Sequence, residues 1–402
     1  MMSVMNYIEE GWEKTVREAK EVTIGDTLIA LPKPYTVPCI DRHFQELYYW
    51  DTYFTNRGLL LSGRVDLAIN NIENFAYLID KYGFIPNGSR TWYLNRSQPP
   101  FFGLMIADVY AITKDRSFLK SAVVALKKEY EFWDTKRKAE NGLNCYGASP
   151  TIAECRDIIR CYMNRTGIHR EGNEYYWGVN ILAEAESGWD FNSRFAGKCH
   201  EYNSVDLNAL LYFDEMFIAY AEGEFGGDET AWHMCAKKRK TLMDMYMKDR
   251  NGIYYDYSYV EKKRSNILSA ASFFPYFVGL SKDEEAAKKL LLNLEMPFGI
   301  SATVETKEKN YQWGYQNGWP CLQLVAVEGV QRCGLENESQ RLAKKYISLV
   351  ENVYNDTGKL WEKYNVKEGN ANAVGEYGTP EMLGWTAGVY MALKGKLGSI
   401  LN

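Results

Sequence analysis

Two carboxylates in aromatic surroundings are the first groups in this 402-residue chain that could do chemistry. Asp190 sits between Trp189 and Phe191 in "ESGWDFNSRF" (Glu186 to Phe195), and Glu362 lies in "LWEKYN" (Leu360 to Asn365). Hydrolysing a glycosidic bond takes one carboxylic acid to protonate the leaving oxygen and a second carboxylate to activate water or attack the sugar. An aspartate flanked by rings is open to desolvation, which raises a carboxyl pKa and keeps a proton available. By its residue types, the segment also suits a plainer arrangement in which Asp190 is the buried partner of Arg194.

Other polar groups stand in similar company. Glu376 in "GEYG" has small neighbours that let a ligand approach, or is an exposed loop acid. "NRSQPP" sets Arg96, Ser97 and Gln98 in a row. Arg96 can make forked bonds to vicinal hydroxyls or a carboxylate. Ser97 can also cap a helix whose first turn holds the two prolines, and the two readings are compatible. In "YYWDTYF", Trp50 can stack on a sugar while Asp51 accepts its hydroxyl protons, or both belong to an amphipathic aromatic face.

The elements that must position these residues are mainly helices. Apolar stripes at helical spacing run through "DLAINNIENFAYLID", "SFLKSAVVALKKEYEFW", "VDLNALLYFDEMFIAYAEGE", "ETAWHMCAKKRKTLMDMYM", "EEAAKKLLLNLE", "GWPCLQLVAVEGVQRCG" and "SQRLAKKYISLVENVYND". The best alternating pattern is "GIYYDYSYV" (Gly252 to Val260), a short hairpin or loop strand. Roughly a dozen helices are expected, joined in part by long loops rich in Gly, Asn, Arg and Trp, where function concentrates. No Pro/Ser-rich linker divides the chain, so one domain over residues 1–402 is expected. That many hairpinned helices suit an all-α (α/α)6 toroid or an α-solenoid, and the lack of a fixed repeat favours the toroid.

Composition narrows the function. A net charge of −5 argues against a nucleic-acid partner, which needs a basic field. No run of about eighteen apolar residues predicts a membrane span. The eight cysteines form no CxxC pair and there are only four histidines, so reduced thiols and no metal site are expected. With no apolar leader in "MMSVMNYIEEGWEKTVREAK", these features predict a cytoplasmic protein.

Taken together, the segments resemble the trehalases, glycoside hydrolase family 37, from about Tyr35 to about Thr386. "YGFIPNGSRTWYLNRSQPPFF", "ESGWDFNSRF", "EKYN" and "GEY" followed by "GWTAGV" carry the likeness. It implies an (α/α)6 toroid, an inverting reaction on α,α-trehalose and no cofactor. It makes Asp190 the general acid and Glu362 the general base. Phe44, Trp50, Asp51, Asn87, Arg96, Ser97, Gln98, Gly188, Trp189, Trp313 and Glu376 become sugar contacts, with Arg170 standing for an arginine of the family's "RPE"-like element. Either Glu171 or Glu174 would replace that element's acid.

Both family signatures are altered. "HFQELYYWD" has His43 where the family has an arginine, and "QWGYQNGWPC" has Gly314 for an aspartate and Gln316 for a proline. These changes predict altered recognition of the leaving sugar, with pH sensitivity from His43. Alternatives from the same residues are a family 63-like α-glucosidase, a sugar-binding pseudoenzyme and a protein-binding solenoid. Retention of both carboxylates favours an enzyme. Its acid and base should share one cavity, with Asp190 the more desolvated of the two.

Overall fold

Two kinds of helix follow from the two kinds of apolar pattern: those with one stripe and those apolar nearly all round. The computed structural model describes residues 2–19, 25–308 and 310–398. Among these, fourteen α-helices occur. The first seven are α1 Val4–Thr15, α2 Tyr49–Leu61, α3 Val65–Tyr82, α4 Phe102–Thr113, α5 Arg116–Lys136, α6 Ile152–Thr166 and α7 Glu174–Glu186. The remainder are α8 Val205–Phe225, α9 Thr230–Tyr246, α10 Phe274–Phe277, α11 Glu284–Leu294, α12 Pro320–Arg332, α13 Glu336–Thr357 and α14 Gly384–Gly398. The striped segments of the sequence fall on α3, α5, α8, α9, α11, α12 and α13.

Helices α2, α4, α8, α10, α12 and α14 touch in that order, and α14 packs on α2 to close the ring. Outside the ring, α3 lies against α2 and α4, α5 against α4 and α8, α9 against α8, α13 against α12 and α14, and α1 against α14. Helix α11 meets the 3-10 turn Ala270–Phe273 that leads into α10. This is an (α/α)6 toroid. The inner tier is walled on every side, so α12 is buried without a break from Pro320 to Val330. The outer α3 buries only its stripe, which includes Ala68, Ile72, Phe75 and Ile79. Helices α6 and α7 pack on each other as a hairpin between α5 and α8 in sequence. No helix among the described residues is long and apolar enough to cross a membrane.

Strands are two residues long and antiparallel. The alternating "GIYYDYSYV" yields only Tyr257–Ser258, which pairs with Tyr202–Asn203 and Lys263–Arg264. Its inward residues go to other work: Tyr254 is fully buried and Asp256 binds Arg194. The pair that matters for the site joins Asn317–Gly318 to Tyr364–Asn365 and so ties the "QWGYQNGW" loop to "EKYN". In "NRSQPP" the helix-entry reading is corrected. Both prolines precede α4, and Ser97 caps no helix; its hydroxyl donates to the Ile85 carbonyl at 2.6 Å.

Glu129 of α5 binds three elements through one buried carboxylate. It accepts the Tyr49 hydroxyl of α2, and that hydroxyl accepts the Phe102 N–H at the start of α4 at 3.1 Å. Burial, opposed by the hydrogen bonds from Tyr49 and Trp133, pushes the Glu129 pKa from 4.5 up to about 7. An acid whose folded pKa is raised contributes stability that is intact below its unfolded pKa of about 4.3 and is lost as pH rises through the folded value. Glu129→Gln keeps the acceptor for Tyr49 and removes the titration. Its melting temperature relative to wild type should therefore climb between pH 4.5 and 8. Parallel melting curves across that range would contradict the assignment.

Candidate active site

Four indoles build one side of a cavity of about 290 Å³. Trp313 stacks on Trp319 with centroids 3.7 Å apart and planes at 2°. Trp50, from the first turn of α2, lies 5.5 Å from Trp313, and Trp385 of α14 stands edge-on to Trp50. Such faces suit the C–H side of a sugar ring. Gly188 lets the chain cross this wall. Its φ is +75°, and a Cβ there would sit 2.8 Å from the Trp50 ring, so only glycine fits.

Asp190 follows α7 and opens on the cavity. Its Oδ2 accepts Arg165 Nη1 at 3.0 Å. Its carbonyl accepts Arg165 Nη2 at 2.8 Å and Gln312 Nε2 at 2.5 Å. Arg194 is not its partner, contrary to the plainer reading of the sequence. Arg194 is wholly buried between Asp206 and Asp256, 2.9 Å from each. Arg165 also donates through Nε to Glu376 Oε2 at 2.8 Å. Glu376 Oε1 accepts the N–H groups of Phe191 and Gln312 at 3.1 and 3.2 Å. Burial pushes the Glu376 pKa up to about 7 against the pull of Arg165, with the Asp190 charge adding to the rise.

Glu362 lines the same cavity from the "EKYN" segment. One oxygen pairs with Lys363 Nζ at 2.5 Å and the other accepts the Tyr377 hydroxyl at 2.9 Å. Its backbone is fixed by Pro380 O at 3.1 Å and by Trp385 Nε1 at 3.0 Å. Lys363 is fully buried and also reaches Gln312 Oε1 at 3.3 Å. Gln312 thus ties the support of one carboxylate to the support of the other. The expected order of desolvation is reversed. The Asp190 side chain is 32% exposed and that of Glu362 only 3%. Rings next to Asp190 in sequence do not enclose it, whereas Glu362 is enclosed by Lys363, Tyr377 and Trp385.

The remaining polar groups come from α2 and residues 87–98. Asp51 is buried, and its pKa rises from 3.8 to about 7 through burial, with the charges of Glu362 and Asp190 adding. Arg96 donates through Nε to Asn87 Oδ1 at 3.1 Å and through Nη1 to Asn95 Oδ1 at 2.8 Å. Burial pulls its pKa below the ordinary guanidinium value. Gln98 Oε1 accepts the Trp50 N–H at 3.2 Å and so caps the start of α2. Phe44 meets Tyr48 edge-on at the same cavity.

Four of the residues named from sequence stand outside the lining. Ser97 is held by Ile85 and Glu186. Trp189 packs behind Trp313 at 5.1 Å, and the Glu376 side chain is fully buried under Arg165. Arg170 stacks on Trp177 and donates to the Tyr162 hydroxyl, so the arginine that reaches Asp190 is Arg165. Neither Glu171 nor Glu174 lines the cavity, and Glu174 pairs with Arg156 at the surface. His43 also lies outside it, 65% exposed and paired with Asp41. A Cβ at Gly314 would meet the Tyr311 carbonyl at 2.9 Å, so the backbone there excludes the family's aspartate. The sequence reading passed over Arg165, Gln312, Tyr377, Trp319 and Trp385. Gln312, Trp319, Tyr377 and Trp385 stand inside the quoted motifs, while Arg165 in "YMNRTG" belongs to none. Among the described residues no group of three or more His, Cys, Asp or Glu could hold a metal ion.

Comparison with known proteins gives the arrangement its relatives. The family model described as Trehalase matches residues 1–398. The periplasmic trehalase of Pseudomonas aeruginosa is 34% identical over 422 residues, covering 96% of this chain and 75% of the relative. That of Escherichia coli O8 is 33% identical, covering 97% and 74%. The structure of the neutral trehalase Nth1 from Saccharomyces cerevisiae superposes with a TM-score of 0.78 at 27% identity, covering 98% of this chain and 80% of that one. A GH63 mannosylglycerate hydrolase from Thermus thermophilus, with a TM-score of 0.68 at 13% identity over 98% of this chain and 100% of its own, shares the fold. The bacterial relatives are named periplasmic, which overturns the expectation of a cytoplasmic protein. Six of the eight thiols are buried and shielded from oxidants, so cysteine usage does not report the compartment here. With a family model that spans nearly all of it and relatives more than 30% identical along its length, the chain belongs to the trehalase family of glycoside hydrolases.

Proposed function

We propose that this chain, acting as one catalytic domain, hydrolyses α,α-trehalose to two glucose molecules with inversion, Asp190 serving as general acid and Glu362 as general base. One observation carries the reading: two carboxylates far apart in sequence open on a single indole-walled cavity and share the support of Gln312. One glucosyl ring stacks on Trp50 and Trp313. Its hydroxyls take partners from Asp51, Asn87, Arg96 and Gln98, and Gly188 lets the backbone come close. Protonated Asp190 gives its proton to the bridging oxygen as the C–O bond breaks. Glu362 takes a proton from the water that attacks the anomeric carbon from the other side. The glucosyl unit leaves as β-glucose and the displaced sugar as α-glucose. Space for that water calls for carboxyl groups roughly 6.5–9.5 Å apart. Arg165 and Glu376 set the direction of Asp190, while Ser97, Trp189 and Arg170 brace the walls from behind. Solvent restores both protonation states after release.

Asp190→Asn keeps the shape and loses the transferable proton. Its kcat on trehalose should fall by roughly a hundredfold or more, with binding measured by calorimetry largely retained. A near-wild-type kcat would remove Asp190 from the acid role. Glu362→Ala should be equally impaired, and added azide should restore turnover by attacking where the activated water would, giving β-glucosyl azide. Retention of most activity, or α-glucosyl azide as the product, would remove Glu362 from the base role. Arg96→Lys keeps the charge and loses the planar fork. A fall in kcat/KM of less than about threefold would make Arg96 a structural residue only.

A further inference from the structure

Helix α6 brings Ile158, Cys161 and Arg165 to the cavity at positions i, i+3 and i+7, one face of the helix. We infer that this face walls the leaving-group subsite and that the enzyme accepts α-D-glucosides with apolar aglycones. The inference rests on the proposed acid role of Asp190. In an inverting site the acid stands on the leaving-group side of the anomeric carbon and the base on the other. Arg165 is bonded to Asp190, so its helix runs along the acid's side, and Cys161 and Ile158 lie one and two turns further along the same face.

Beyond Arg165 the chemistry of that face is apolar. Ile158 offers no hydrogen bond and the Cys161 thiol is a weak donor. Arg165 turns one N–H of each nitrogen inward, Nε to Glu376 and Nη1 and Nη2 to Asp190, and keeps a second N–H on each Nη beside the acid. The three altered signature positions add no polar group, because His43 and Gln316 lie outside the cavity and Gly314 has no side chain. Gln312 and Tyr377 are bonded to the two carboxylate segments, and the other polar partners of the cavity come from α2 and residues 87–98. A ring rich in hydroxyls is matched there, whereas the α6 side rewards burial of carbon.

The test is the series methyl, butyl and hexyl α-D-glucopyranoside, run beside trehalose. These simple alkoxide leaving groups differ little in the chemistry of bond cleavage, so the series reads aglycone binding. From methyl to butyl, kcat/KM should rise at least about threefold, since buried methylenes favour binding. Ile158→Asn should flatten the series. N-ethylmaleimide gives a second readout in a Cys235→Ser background, Cys235 being the other exposed thiol. Alkylation of Cys161 should inactivate, with hexyl glucoside protecting better than glucose. A flat wild-type series with trehalose still cleaved would overturn the inference alone. So would a slope that survives Ile158→Asn together with protection that does not differ between the two ligands. Failure to cleave trehalose or any glucoside would overturn the proposed function as well.

Discussion

Glu186 ends α7 with its carboxylate wholly buried, and it accepts four N–H groups from three separate segments. Arg137, just past α5, donates through Nε at 2.7 Å and Nη2 at 2.9 Å. The Ser97 and Gly147 amides donate at 2.7 and 2.6 Å. Two residues further along stands Gly188, and Asp190 follows. Ser97 itself lies between Arg96 and Gln98. One buried charge therefore holds the segment of Asp190 against the segment of Arg96 and Gln98. Arg137 offsets the cost of burying that charge, and removing either partner would cost about 3–5 kcal/mol because the other would be left uncompensated.

The far end of the same decapeptide is anchored as firmly. Arg194 is clamped by Asp206 from α8 and by Asp256, and its guanidinium lies 4.3 Å from the Trp189 ring. The Asn192 amide donates to the Trp189 carbonyl at 2.7 Å. Between these anchors only Gly188 and Asp190 meet the cavity. A run that looks uniformly suited to ligand binding thus divides into a rigid frame and two residues presented by it. Gln312 repeats the device on the other side, bonding the Asp190 carbonyl and Lys363 together.

The ring was legible because periodicity reports burial directly. The stripes of α3, α5 and α13 mark an outer tier, and the missing repeat spoke against a solenoid. The cavity lining was legible where a motif places an acid or arginine beside rings, as at Asp190, Glu362 and Arg96. It was less so where the same residue types serve as struts. Glu376, Ser97 and Trp189 have the chemistry of ligand contacts, yet each spends its hydrogen bonds or surface on the protein. Arg165 could not be singled out, since its place beside Asp190 arises from the packing of α6 on α7. Burial order failed for a related reason: Glu362 is enclosed partly by Tyr377 and Trp385, which no reading of "LWEKYN" contains.

In the proposed function the whole arrangement serves attack and protonation on opposite sides of one anomeric carbon. Proton NMR of the first turnovers on trehalose, recorded before mutarotation, observes that directly through the anomeric protons of the released glucose. Inversion by Asp190 and Glu362 predicts α- and β-glucose in equal initial amounts. Initial release of α-glucose alone would mean retention and would contradict it.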